Sequence, residues 1–100
     1  MKALFHIDER HKWPMVQANI KNMLAETDAE IALVANSEAV ELFIKSTITL
    51  EDKVTYYVCN NSITQRHLDR NDLNKKAKIT GSGVVQIVKL QDEGFRYIKP

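Results

Sequence analysis

EIALVA, residues 30–35, is the stretch on which the fold turns. After its opening glutamate it is apolar at every position, without the alternation that marks a strand with one wet face. A short continuous apolar run reads as a strand covered on both sides, and such strands belong to parallel sheets flanked by helices. Upstream, Trp13, Val16, Ile20, Met23 and Leu24 recur at helical spacing and predict a helix over residues 13–26. Pro14 falls in its first turn, where a missing N–H costs nothing. Thr27 and Asp28 break the pattern. KALFHI (2–7) predicts an earlier strand, and DERHK (8–12) a polar loop. Downstream, Val40, Phe43 and Ile44 form the buried side of a second helix, with Asn36 or Ser37 as its N-cap.

Further along, VTYYVC (54–59) is β-branched and aromatic and predicts a third strand. Asn60, Asn61 and Ser62 have the chemistry to cap a short helix after it, and Asp69 with Asp72 to cap one more turn. AKIT (77–80) predicts a fourth strand. The stretch 83–93 (GVVQIVKLQDE) is legible two ways. Its valines favour a strand, whereas Val84, Ile87, Val88 and Gln91 fit one helical stripe and Gly94 suits the position just past a helix end. We read it as a helix. FRYI (95–98) predicts the last strand. The β-α-β-α-β-α-β-α-β alternation predicts a mainly parallel sheet with right-handed crossovers. No repeat, linker or low-complexity segment divides it, so residues 1–100 read as one domain.

Composition narrows the function classes. Fourteen Lys and Arg against thirteen Asp and Glu leave a net charge of +1. The densest basic cluster, Lys75, Lys76 and Lys78, reads as the solvated start of a strand, because three lysines neutralise too few phosphates to hold a nucleic acid tightly. No nucleic-acid partner is expected. No run of about 18 apolar residues exists to cross a membrane, and MKALFHIDER has too short an apolar run for a signal-peptide core. A single cysteine forms no internal disulfide, which fits a reducing cytoplasm. One cysteine and three scattered histidines argue against a structural zinc site. No dinucleotide-binding or phosphate-loop signature is present, and no cofactor is expected.

In open parallel sheets ligands bind beyond the carboxyl ends of the strands. That rim carries His6 with Asp8, Asn36 with Ser37, Cys59 to Ser62, and Thr80 to Gly83. Cys59 precedes a helix N-terminus, where free N–H groups stabilise a thiolate; it reads either as a nucleophilic thiol or as a small buried hydrophobe. Asn60, Asn61 and Ser62 read as ligand-holding residues, as caps, or as both. Ser82 and Gly83, following Gly81, read as an anion cradle or a tight turn. His6 reads as a proton donor or acceptor near neutral pH or as a structural hydrogen-bond partner.

Four stretches together resemble the DsrE/DsrF-like family of small sulfur-relay proteins, close to its short stand-alone prokaryotic members. They are Phe5-His6-Ile7-Asp8-Glu9; Ala29–Asn36 with Ala39-Val40; Cys59-Asn60-Asn61-Ser62, similar to the family's Cys-x-Asn-Ser/Thr; and a tail of Ser82-Gly83-Val84, Ile87-Val88, Gln91, Glu93-Gly94, Tyr97-Ile98 and Pro100. The resemblance implies a three-layer α/β/α fold around a five-stranded parallel sheet ordered 4-3-2-1-5, and assembly into homotrimers or hexamers. It also implies a sulfurtransferase component that carries sulfane sulfur as a persulfide on Cys59 between donor and acceptor proteins. In that strand order His6 stands about 10 Å from Cys59, two strand spacings away and too far for a direct dyad. The alternative is a non-catalytic homo-oligomeric module that binds a small anionic ligand at the rim, near Asn36, Asn60 and Ser82.

Overall fold

A computed structural model describes residues 1–44 and 48–100. Five strands, β1 (Lys2–Ile7), β2 (Glu30–Ala35), β3 (Val54–Cys59), β4 (Ala77–Thr80) and β5 (Arg96–Ile98), form one sheet. Every pairing is parallel and the order is β4-β3-β2-β1-β5. EIALVA, as β2, lies at the centre, paired with β1 on one side and β3 on the other. From Ile31 onward it is buried throughout. The first four predicted strands have the expected bounds; the last is shorter than FRYI by Phe95, which is buried just before it.

The period of two sorts the strand side chains onto two faces. Ala3, Phe5 and Ile7, with Ile31 and Leu33 and with Val54, Tyr56 and Val58, join the larger core cluster. Helix α1 (Trp13–Glu26) covers that face with Trp13, Val16 and Ile20, as its spacing requires. Phe43 meets the Trp13 ring edge-on at 6.0 Å and the Tyr56 ring at 5.9 Å. Each such fully buried side chain contributes about 1.5–3 kcal/mol. The other face, with Leu4, Ala32 and Val34, is covered by α3 (Gly83–Asp92) through Ile87 and Leu90 and by the following Phe95. The short helix α2 (Asn60–Gln65) follows β3 directly.

Three expectations need correction. The polar loop at 8–12 contains a 3-10 turn at Arg10–Lys12. The second helix is a 3-10 segment, Ser37–Phe43, and no side chain of Asn36 or Ser37 caps it. Ser37 sits in the left-handed region at φ 52°, and its N–H is taken by the Ser62 hydroxyl, 2.8 Å away. A tertiary bond thus fills the place of a local cap, and no α-helical cap geometry forms. Val40, Phe43 and Ile44, the residues expected on its buried side, are nonetheless buried, and Ala39 joins them.

The third correction concerns α3. It is a helix, capped by the Ser82 hydroxyl and followed by Gly94 at φ 95°. Its buried stripe is Gly83, Ile87 and Leu90, not Val84, Ile87, Val88 and Gln91. Val84, Val85 and Val88 are 60%, 50% and 54% exposed. The close approach of Gly83 to the sheet sets the helix phase. A Cβ there would lie 3.2 Å from the Cβ atoms of both Asn36 and Cys59, close enough that both neighbours would have to give by a few tenths of an ångström.

Candidate functional site

Cys59 ends β3 and is the N-cap residue of α2, with extended backbone at φ −68° and ψ 116°. Its side chain is 5% exposed. Burial pushes the thiol up, but hydrogen bonds outweigh it and hold the group below its ordinary range. The donors are the Ser62 hydroxyl and the backbone N–H groups of Gly83, Ser62 and Asn61. They stabilise the charged sulfur. Two of the N–H groups come from the first turn of α2. The third comes from the start of α3, brought alongside by the pairing of Cys59 with Thr80 across β3 and β4.

Ser62 is 7% exposed and the only buried polar residue among those described. Its hydroxyl accepts the Ser37 N–H and donates to Cys59 Sγ. One side chain therefore links the turn after β2 to the thiol at the end of β3.

The rim continues across the sheet. Asn36 follows β2 and, like Cys59, has its Cβ 3.2 Å from where a Cβ of Gly83 would lie. Its Oδ1 lies 2.8 Å from His6 Nε2. His6 Nδ1 lies 2.6 Å from the Tyr97 hydroxyl. Asn36 Oδ1 only accepts, so with the ring neutral Nε2 carries its hydrogen and Nδ1 accepts from the tyrosine. The strand gap that separates His6 from Cys59 is thus occupied by Asn36.

The structure separates the remaining candidates. Asn61 contributes its backbone N–H to the sulfur. The Asn60 side chain accepts from Arg70 Nε at 2.7 Å, which ties it to the following loop. Ser82 caps α3 by accepting the Val85 N–H. The expected caps among Asn60, Asn61 and Ser62 are not made through side chains, whereas Asp69 does cap the turn after it through the Asn71 N–H. Sequence reasoning missed Ser37 as a backbone donor and Tyr97 as the partner of His6. Tyr97 pairs with Leu4 in the sheet, so a last strand beside β1 was the signal that would have found it.

A pocket of about 320 Å³ lies between α1 and β5, floored by Phe5, Met23 and Ile98, and shares no residue with this rim. Among the described residues no three His, Cys, Asp or Glu side chains come together as metal ligands. No helix among them is long and apolar enough to cross a membrane.

Comparison with known proteins accords with this geometry. A model of the DsrE/DsrF-like family matches residues 15–100. Two solved structures superpose over nearly the full length. The protein of unknown function MTH1491 from Methanobacterium thermoautotrophicum is 27% identical, with TM-score 0.87, over 99% of this chain and 98% of that one. The ychN protein from E. coli is 12% identical, with TM-score 0.76, over 100% of this chain and 99% of that one. No curated protein matches the chain.

Proposed function

The chain belongs to the DsrE/DsrF-like family, and from that premise we propose that it is a sulfur carrier, holding sulfane sulfur as a persulfide on Cys59. Family membership points to sulfur-relay-type chemistry. The observation that carries the assignment to Cys59 is the convergence of four donors, from three residues on two helix starts, on one buried sulfur. A packing cysteine needs none of them. A thiolate is stabilised by each of them, and a thiolate is the form that attacks a sulfur–sulfur bond.

In this reading residues 1–100 act as one DsrE/DsrF-like domain in a homo-oligomer, a trimer or a hexamer, exchanging sulfur with donor and acceptor proteins. The exposed valines of α3 support association, because a contiguous apolar patch rarely faces water on a monomer. Asn36 and Gly83 would line the thiol, with His6 behind Asn36; Asn60, Ser82, Asn61 and Ser62 shape the rim around it. The same donors also suit a small anion, which is the basis of the second reading, a binding module without chemistry.

Mass spectrometry after incubation with a sulfane donor tests the proposal. The wild type gains one sulfur atom, and Cys59→Ser gains none. A chain that stays unmodified, with a thiol alkylated no faster than an ordinary cysteine near neutral pH, returns Cys59 to a packing role and leaves the binding module standing.

A further inference from the structure

We propose that the cleft between α1 and β5 is a second binding site, separate from the Cys59 rim, and that it takes a small primary amine with an apolar body.

The cleft arises from the way α1 sits on the sheet. Its inward stripe, Trp13, Val16 and Ile20, faces the core. The neighbouring flank, Asn19, Asn22, Met23 and Glu26, recurs at i, i+3, i+4 and i+7, so it forms one line along the helix. That line overhangs the edge of the sheet, where Ile98 of β5 pairs with Phe5 of β1. The space between holds about 320 Å³, at the small end of the range for small-molecule sites. Phe5, Met23 and Ile98 give it an apolar floor.

The polar groups above that floor define the ligand's head. Thr27 is already saturated: its hydroxyl donates to the Met23 carbonyl at 2.8 Å and accepts the Ala29 N–H at 3.1 Å. The side chains of Asn19, Asn22 and Glu26 have no hydrogen-bond or ion-pair partner among the described residues. Asn22 and Glu26 are four positions apart and so are neighbours on the helix surface. A carboxamide oxygen and a carboxylate placed so can both accept from one ammonium, which donates three N–H groups and accepts none.

Charge selects among possible heads. Glu26 is the one charged residue that lines the cleft. It stands in the last turn of α1, and that turn carries no basic side chain. The free carbonyls of a helix C-terminus add negative potential that favours a cation. Arg96, two positions before Ile98 on the same face, is exposed, does not line the cleft and makes no ion pair with Glu26 among the described residues. A cationic head therefore meets a carboxylate, an amide oxygen and a helix end. An anionic head meets no counter-charge in the lining. The apolar body lies on Phe5, Met23 and Ile98, with the Asn19 amide one turn above.

Three probes that share a phenyl body and differ in head charge test the proposal: phenethylamine, phenethyl alcohol and hydrocinnamate. Protein NMR titration of the full chain reads shifts at Asn22, Met23 and Ile98. The amine gives saturable shifts there, with a Kd of about a millimolar, the scale of a fragment. The alcohol binds more weakly and the carboxylate most weakly. Glu26→Gln weakens the amine about two- to fivefold, the scale of an exposed ion pair, and leaves the alcohol unchanged. Glu26 is exposed at a helix end, so the variant folds, and the rest of its spectrum verifies this. Asn19→Trp fills the cleft and abolishes the shifts from all three probes. Cys59→Ser binds the amine as the wild type does, which separates this site from any sulfur chemistry at the rim. Equal binding of the three probes, tighter binding of the carboxylate, or an amine affinity untouched by Glu26→Gln would overturn the amine assignment. Saturable shifts from none of the probes, or shifts that survive Asn19→Trp, would overturn the site itself.

Discussion

Replacing Ser62 with alanine removes one oxygen and two hydrogen bonds. The first bond satisfies the Ser37 N–H at 2.8 Å. The second is donated to Cys59 Sγ. A hydrogen bond to a charged group contributes about 1.5–3 kcal/mol. Since 1.36 kcal/mol corresponds to one pH unit, the midpoint of Cys59 alkylation against pH rises in Ser62→Ala by about one to two pH units. The direction is fixed by the balance at the sulfur. Burial, the largest influence, already pushes the thiol up, and losing the hydroxyl leaves only the three N–H groups to oppose it. Stability falls as well. Ser37 is exposed, so its N–H turns to water and the loss is that of one ordinary hydrogen bond, about 0.5–1.5 kcal/mol; each kcal/mol lowers the Tm of a domain this size by about 4–8 °C. Alkylation by iodoacetamide across a pH series, with a thermal melt of the same samples, reads both effects. If the melt shifts but the alkylation midpoint does not, Ser62 holds the chain and not the thiolate, and the account of Cys59 fails.

Three further outcomes follow from the same geometry. Gly83→Ala places a methyl 3.2 Å from two Cβ atoms that cannot swing aside; it costs about 1–3 kcal/mol as an overpacked contact, and a melt no lower than wild type would refute the close approach. Cys59 is held below its unfolded range, so the folded state binds its proton more weakly than the unfolded state does. Its contribution to stability is therefore complete above the ordinary thiol range and lost as pH falls through the lowered value; denaturation across mildly alkaline pH shows wild-type stability rising relative to Cys59→Ser, and parallel curves would contradict this. Val84→Asp with Val88→Asp changes two exposed positions, so it alters monomer stability by about 0.5 kcal/mol or less per site while sedimentation shows smaller assemblies; an unchanged mass would remove α3 from the interface.

Local pattern carries only some of this architecture. Helix 13–26 and strands 30–35, 54–59 and 77–80 stand where their spacing puts them, because each buries a face whose period is written in its own residues. The face of α3 does not follow from its valines. Its phase is set by Gly83, a residue with no side chain to enter a hydrophobic pattern, pressed between Asn36 and Cys59. The Ser37 N–H at the start of Ser37–Phe43 is taken by Ser62, from another helix. At the site, the strand-end position of Cys59 is legible, and so is the first turn of α2 behind it. The Tyr97 hydroxyl is not, and the Gly83 N–H is legible as a rim donor but not as a partner of Cys59, since both arrive from elements remote in the chain and meet the rim only through the strand order.

That order also sets a timetable. His6 and Tyr97 are separated by 91 positions yet share a hydrogen bond, and the Gly83 donor follows Cys59 by two dozen residues. During synthesis the amino-terminal strands emerge first. A nascent chain that has exposed Cys59 has not yet made the α3 turn that shelters it, nor the strand that flanks β1. For that interval its cysteine lacks one of its four donors and Asn36 has no clamped partner. The full donor set is therefore acquired late, as a property of the finished sheet, and a ribosome-stalled or truncated chain ending before residue 83 carries a thiol without the cradle that the completed fold gives it.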